Sequence, residues 1–202
     1  EAVAGVEADV AALFSQLEDI FSNRPYLLGD RPTLADVGFS GPFFRHFALD
    51  PIPLQVLRHT APNTLEWVMR LWNSRPESLQ GALIQGVSDD IHVLLQHMAR
   101  GYLPYLNANV DAVRQGKSTF TAKVDGVTYT QARSSYYRVW CLSELRSRFN
   151  VVPQDEQPGL QLLLTKAGIW EGLWAQDDLP LAEGQESRLP FWADHKMLQV
   201  NT

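Results

Sequence analysis

Val6, Val10, Leu13, Phe14, Leu17, Ile20 and Phe21 recur at three- and four-residue steps, which predicts a long amphipathic helix with one wide buried stripe. Pro25 disfavours helical backbone in the residue before it, so this helix ends near Asn23. The stretch PYLLGDRPTLAD, residues 25–36, is then dense in turn formers: Gly29-Asp30 supplies a reversal and Pro32 cannot donate a backbone hydrogen bond. Thr33 opens the next apolar run, and Asp36 three residues later has the spacing of a capping box. The Thr33 hydroxyl would accept from the Asp36 N–H while the Asp36 carboxylate reaches back to the N–H of Thr33. Gly38 and Gly41 within this run suggest close packing of another element against the backbone, and Pro42 should kink the helix.

The run Asp-Pro-Ile-Pro at 50–53 breaks the periodicity, and Pro62-Asn63 starts another helix with Leu65, Val68, Met69 and Trp72 on one face. Residues 75–88 are rich in glycine and polar residues and read as a connection anchored by Leu83 and Ile84. Ser88 followed by two aspartates should cap a helix whose stripe is Ile91, Leu94, Leu95 and Met98, continuing toward Leu103 and Leu106 across a kink at Pro104. After Gly116 the period changes to alternation. Asp125-Gly126 between two β-rich runs predicts a hairpin near 118–131 that pairs Val124 with Val127, Ala122 with Tyr129 and Phe120 with Gln131. Helix returns with Tyr137, Trp140, Cys141, Leu145 and Phe149 aligned, and a shorter helix from about 158 to 167 ends at Gly168. Residues 177–202 read as an extended tail tied down by Phe191 and Trp192.

The 202-residue length allows a substantial core, and with 45% hydrophobic and 20% charged residues the chain has ordinary globular composition. A formal charge of -6 argues against a surface built for the phosphates of nucleic acid. No apolar run approaches the ~20 residues of a bilayer span, and the first residues have neither a basic region nor an apolar signal core. A single cysteine, Cys141, cannot form an internal disulfide; its apolar neighbours suggest a buried, inert thiol, and the cytoplasm or another reducing compartment is the expected location.

No motif announces catalysis, and no catalytic, cofactor-binding or metal-ligating residue is assigned. His46, His59, His92, His97 and His195 do not pair at ligand spacing, since His92 and His97, five apart on a helix, point in different directions. The pairs Asp89/Asp90 and Asp177/Asp178 read as a solvated helix start and a solvated loop. Aromatic residues are numerous, and most such stripes are core. Five residues are nominated as the lining of a cleft for an apolar ligand: Phe43, His46, Phe47, Tyr102 and Trp140.

The run PYLLGDRPTLADVGFSGPFFRHFALDP closely resembles the C-terminal, all-helical half of the glutathione S-transferase superfamily, in which a G-D-x-P-[ST]-x-A-D run caps the central helix. Residues 101–149 look like a bacterial-type branch in which a long helix, a DG hairpin and an aromatic helix extend that domain. The resemblance implies a mainly α fold, a glutathione S-transferase C-terminal-like helical bundle with one inserted β-hairpin. Core helices would occupy 1–75, the extension 76–176 and the tail 177–202. In that superfamily glutathione sits mainly on a thioredoxin-like N-terminal half, which this chain is expected to lack, so glutathione would be a cofactor only of a longer parent. Two readings follow. One is the helical half of a glutathione transferase-like enzyme, contributing a second-substrate pocket or dimer surface. The other is a noncatalytic interaction or structural module in a homodimer or larger assembly.

Overall fold

The computed structural model describes residues 2–181. The described helices are, in sequence order, α1 (Ala2–Asn23), α2 (Leu34–Pro42), α3 (Pro51–Thr60), α4 (Pro62–Trp72), α5 (Asp89–His97), α6 (Leu103–Arg114), α7 (Tyr136–Asn150), α8 (Gln157–Lys166) and α9 (Trp170–Leu173), of which α3 and α9 were not expected. The strands β1 (Thr119–Val124) and β2 (Val127–Arg133) make an antiparallel hairpin between α6 and α7. The fold is therefore mainly α with a single two-stranded hairpin among the described residues. The last expected segment falls mostly on residues 182–202, which, with Phe191, Trp192 and His195, lie outside the described residues. The chain divides into two compact units, Val3–Leu94 and the described residues from Leu95 onward, with the boundary inside α5.

In the first unit the stripe of α1 supplies Phe14, Leu17, Ile20 and Phe21 to a core shared with Phe43, Leu57, Trp67 and Val68. Phe21 stacks on Trp67 at 4.6 Å between ring centroids, and Phe43 meets the same indole edge-on at 5.7 Å. Three local expectations change here. Pro51 does not break the helical pattern but starts α3, because proline at the first position loses only an N–H that has no helical partner anyway. The buried face of α4 is Thr64, Trp67 and Val68, which leaves Met69 and Trp72 exposed rather than in the core. Gly38 and Gly41 are exposed, with nothing within 4 Å of where a Cβ would stand, so among the described residues no element packs on them.

Pro42 ends α2 by widening it. The chain passes into one π-helical turn, Phe43–Phe47, closed by Ala48 N–H donating to the Phe43 carbonyl at 2.8 Å. A second π turn, Met98–Tyr102, precedes Pro104 at the start of α6. Gly29 is required by close approach: at φ 136° its backbone bridges Tyr26 and Leu83, and a Cβ there would collide with the backbone of Ala82 and Leu83. The expected apolar anchoring by Leu83 and Ile84 is replaced by backbone bonds, Asp30 N–H donating to the Ala82 carbonyl at 2.8 Å and Ile84 N–H to the Leu28 carbonyl at 2.9 Å, while the Leu83 side chain is exposed.

The second unit packs Leu103, Leu106 and Val110 of α6 against Val139 and Leu142 of α7, with Ala167, Ile169 and Leu173 closing the cluster. The buried face of α7 is thus Val139, Leu142 and Arg146; Trp140, Cys141, Leu145 and Phe149 flank it and Tyr137 is exposed. Asn109 fixes the approach of α7, accepting from Ser135 N–H at 2.8 Å and donating to the Ser135 carbonyl at 3.0 Å. In the hairpin Val124 opposes Val127 and Ala122 opposes Tyr129 as predicted, but Phe120 opposes Ala132. A bulge shifts the register there, and Gln131 adopts φ 59°.

Candidate functional site

Asp36 was expected to cap α2. The capping box with Thr33 is present, with Thr33 N–H donating to Oδ2 at 2.8 Å and the Thr33 hydroxyl donating to the same oxygen at 2.8 Å. The carboxylate does more than cap, because Oδ1 accepts from Leu27 N–H at 2.8 Å and from the Trp67 indole N–H at 3.0 Å. Asp36 is completely buried. One carboxylate thereby joins the interhelical turn, the start of α2 and the centre of α4, and its charge is compensated by four directed donors. A second carboxylate works in the same manner: Glu18 of α1 accepts from the N–H groups of Asn63 and Thr64 at 3.2 and 3.0 Å, so it caps α4 from a neighbouring helix.

Asp90 was expected to be a solvated helix-start residue, yet it is bound bidentately by Arg24, at 2.7 and 2.9 Å, and also pairs with the Ser88 hydroxyl. Its carboxyl is held down at about 2 chiefly by the Arg24 hydrogen bond, against the opposing effect of burial. These acids are structural joints.

The nominated cleft residues fall into two groups. Phe43 is buried in the core of the first unit, and Phe47 packs on Phe14 at 5.2 Å and Phe43 at 5.1 Å, while His46 points away, exposed, 3.8 Å from Asp50. Tyr102 and Trp140 belong to the second unit, where the phenols of Tyr102 and Tyr137 lie near the Cys141 thiol. Burial, then the Cys141 thiol, pushes the Tyr102 phenol upward; for Tyr137 the thiol acts first and burial second. Both phenols therefore remain protonated at neutral pH. Cys141 is half-buried among these partners, more accessible than its apolar neighbours suggested.

An open, mainly apolar groove of about 710 Å³ lies elsewhere on the first unit, along α2 and α4. Leu34, Val37, Phe44, Leu71, Trp72 and Leu79 supply its apolar surface, and Arg31 is the charged residue lining it. Trp72 stacks on Phe44 at 4.0 Å and 9°, a nearly parallel pair, while remaining 66% exposed. Leu34 is 88% exposed, so the first turn of α2 presents its apolar side to the groove mouth. The hydroxyls along the groove are already engaged: Thr33 with Asp36, Ser40 with the Val37 carbonyl at 2.9 Å and Ser74 with the Arg70 carbonyl at 3.1 Å. Glutathione, with two carboxylates, an ammonium and two amides, would meet one cation and no carboxylate there, so these residues do not fit it.

Periodicity reasoning missed this groove because it placed Leu65, Val68, Met69 and Trp72 together on one apolar face of α4. The available signal was the excess: Leu65, Trp67, Val68, Met69, Leu71 and Trp72 surround the helix, and one face of a surface helix cannot bury them all. Among the described residues no cluster of His, Cys, Asp and Glu is arranged to hold a metal, and no helix is long and apolar enough to cross a membrane.

The first unit is thus a helical unit organised around a buried capping aspartate. Residues 1–75 match the family model for the glutathione S-transferase, C-terminal domain. No curated protein and no solved structure matches the chain.

Proposed function

We propose that Val3–Leu94 is the helical half of a glutathione S-transferase-like protein and that the α2–α4 groove is its second-substrate surface. The observation that carries this reading is the exposed Phe44–Trp72 stack set in an apolar groove whose volume, about 710 Å³, suits a small molecule. Glutathione and any thiol-activating group would reside on a thioredoxin-like half of a parent protein; among the described residues the hairpin is the only sheet. The resemblance of residues 101–149 to a bacterial-type branch supports the same assignment for the extension. The lone thiol favours a reducing, cytoplasm-like compartment.

The test is equilibrium binding of a neutral aromatic probe, naphthalene-2-carboxamide, by intrinsic fluorescence. Saturable binding weakened about tenfold or more by Val37→Asp, which places a charge on the groove wall, is expected. No saturable binding, or binding indifferent to that change, overturns the reading. The exposure of Leu34 favours a second reading, in which the same face is covered by another protein surface, in a homodimer or a larger assembly. A concentration-dependent sedimentation coefficient abolished by Leu34→Asp is its expected sign.

A further inference from the structure

The groove has a charge as well as a shape. Of the residues lining it Arg31 is the only ionisable one, and no carboxylate faces it, although the whole chain carries a formal charge of -6. Arg31 makes no hydrogen bond or ion pair among the described residues, whereas Arg24, Arg70, Arg114 and Arg146 all do. A guanidinium left without an acceptor beside apolar surface is suited to a bidentate anion. Close by in the same groove, the outer face of Trp72 offers a flat platform already backed by Phe44. The remaining walls, Leu34, Val37 and Leu71, are aliphatic.

Resting on the second-substrate reading of this groove, we infer that its ligand is a planar aromatic carboxylate, with the ring on Trp72 and the carboxylate on Arg31. The apolar walls contribute affinity to any aromatic molecule, while Arg31 selects the anion among isosteres of equal size. An acceptor of positive charge, or a neutral ligand rich in hydrogen-bond donors, would leave the Arg31 guanidinium without a partner.

The experiment compares 2-naphthoate with naphthalene-2-carboxamide, a neutral isostere, on the full chain at pH 7, with thermal melting to verify that each variant is folded. The carboxylate is expected to bind about tenfold tighter than the amide, the scale of one charge-assisted contact at a partly solvated site. Arg31→Gln should bring the two dissociation constants together by weakening the carboxylate alone, and raising the salt concentration should do the same. Trp72→Ala, at an exposed position, should weaken both probes. Equal affinity for the two probes, or a preference that survives Arg31→Gln, overturns the anion inference while leaving the apolar groove standing. Failure of either probe to bind in a Trp72-dependent way overturns the groove reading and this inference together.

Discussion

Asp36 shows how much one side chain can organise. Asp36→Ala removes the acceptor for two backbone N–H groups and an indole N–H, of which Leu27 N–H and Trp67 Nε1–H are buried. At about 1–3 kcal/mol for each buried unsatisfied donor, a loss on the order of 3–5 kcal/mol is expected by denaturant titration. Thr33→Ala, which removes a hydroxyl from the rim of the same cluster, should cost only about 0.5–2 kcal/mol. Equal losses would mean that Asp36 acts as a helix cap alone. Asp90 gives a pH signature instead. Its folded carboxyl is depressed to about 2 from the usual 3.8, so its contribution is fully present above about pH 4 and is lost as the pH falls through 2. Asp90→Asn should therefore destabilise the chain at pH 7, by about 1–3 kcal/mol for the charge-assisted pair with Arg24, and the gap from the parent should close in acid melts. A gap independent of pH would place the effect in packing.

At the scale of elements, Gln131 occupies the left-handed region at the hairpin bulge with its side chain exposed. Gln131→Gly should relieve that conformation and stabilise the fold by roughly 0.5–1 kcal/mol, read as a higher melting temperature. A fall would show that the side chain contributes more than the backbone strain costs. The bulge also marks where sequence reading stopped. Turn chemistry at Asp125-Gly126 set the pairing for the first two partners on each side, but nothing in an alternating pattern announces an inserted residue further along. The same division holds for the helices. Caps and prolines gave most boundaries, including the end of α1 and the start of α2, because they act within four residues of themselves. The orientation of α4 and α7 failed to follow from periodicity because both carry apolar residues on more than one side, and only long-range partners decide which side is buried. Arg24–Asp90, 66 residues apart, was beyond any local rule.

At the scale of the molecule, the similarity of residues 1–75 to the family model was legible from one local motif, which is also a structural joint of its unit: Asp36 at the start of α2 bonds both to the turn after α1 and to α4. The groove was not legible, since Leu34, Val37, Phe44 and Trp72 come together only when α2 and α4 pack. The chain alone is expected not to bind glutathione, because its candidate groove offers a single cation to a ligand needing several polar partners. Isothermal titration calorimetry at millimolar glutathione should register no heat of binding; a micromolar dissociation constant would contradict this and place a tripeptide site among these residues.

The bond from the Trp67 indole to Asp36 has a practical consequence for observing the protein. That N–H is wholly buried and held by a carboxylate, so its hydrogen can be replaced by deuterium only when Val3–Leu94 opens. Its decay in heavy water, followed as one indole resonance, would time the opening of that unit by itself, whatever the rest of the chain is doing.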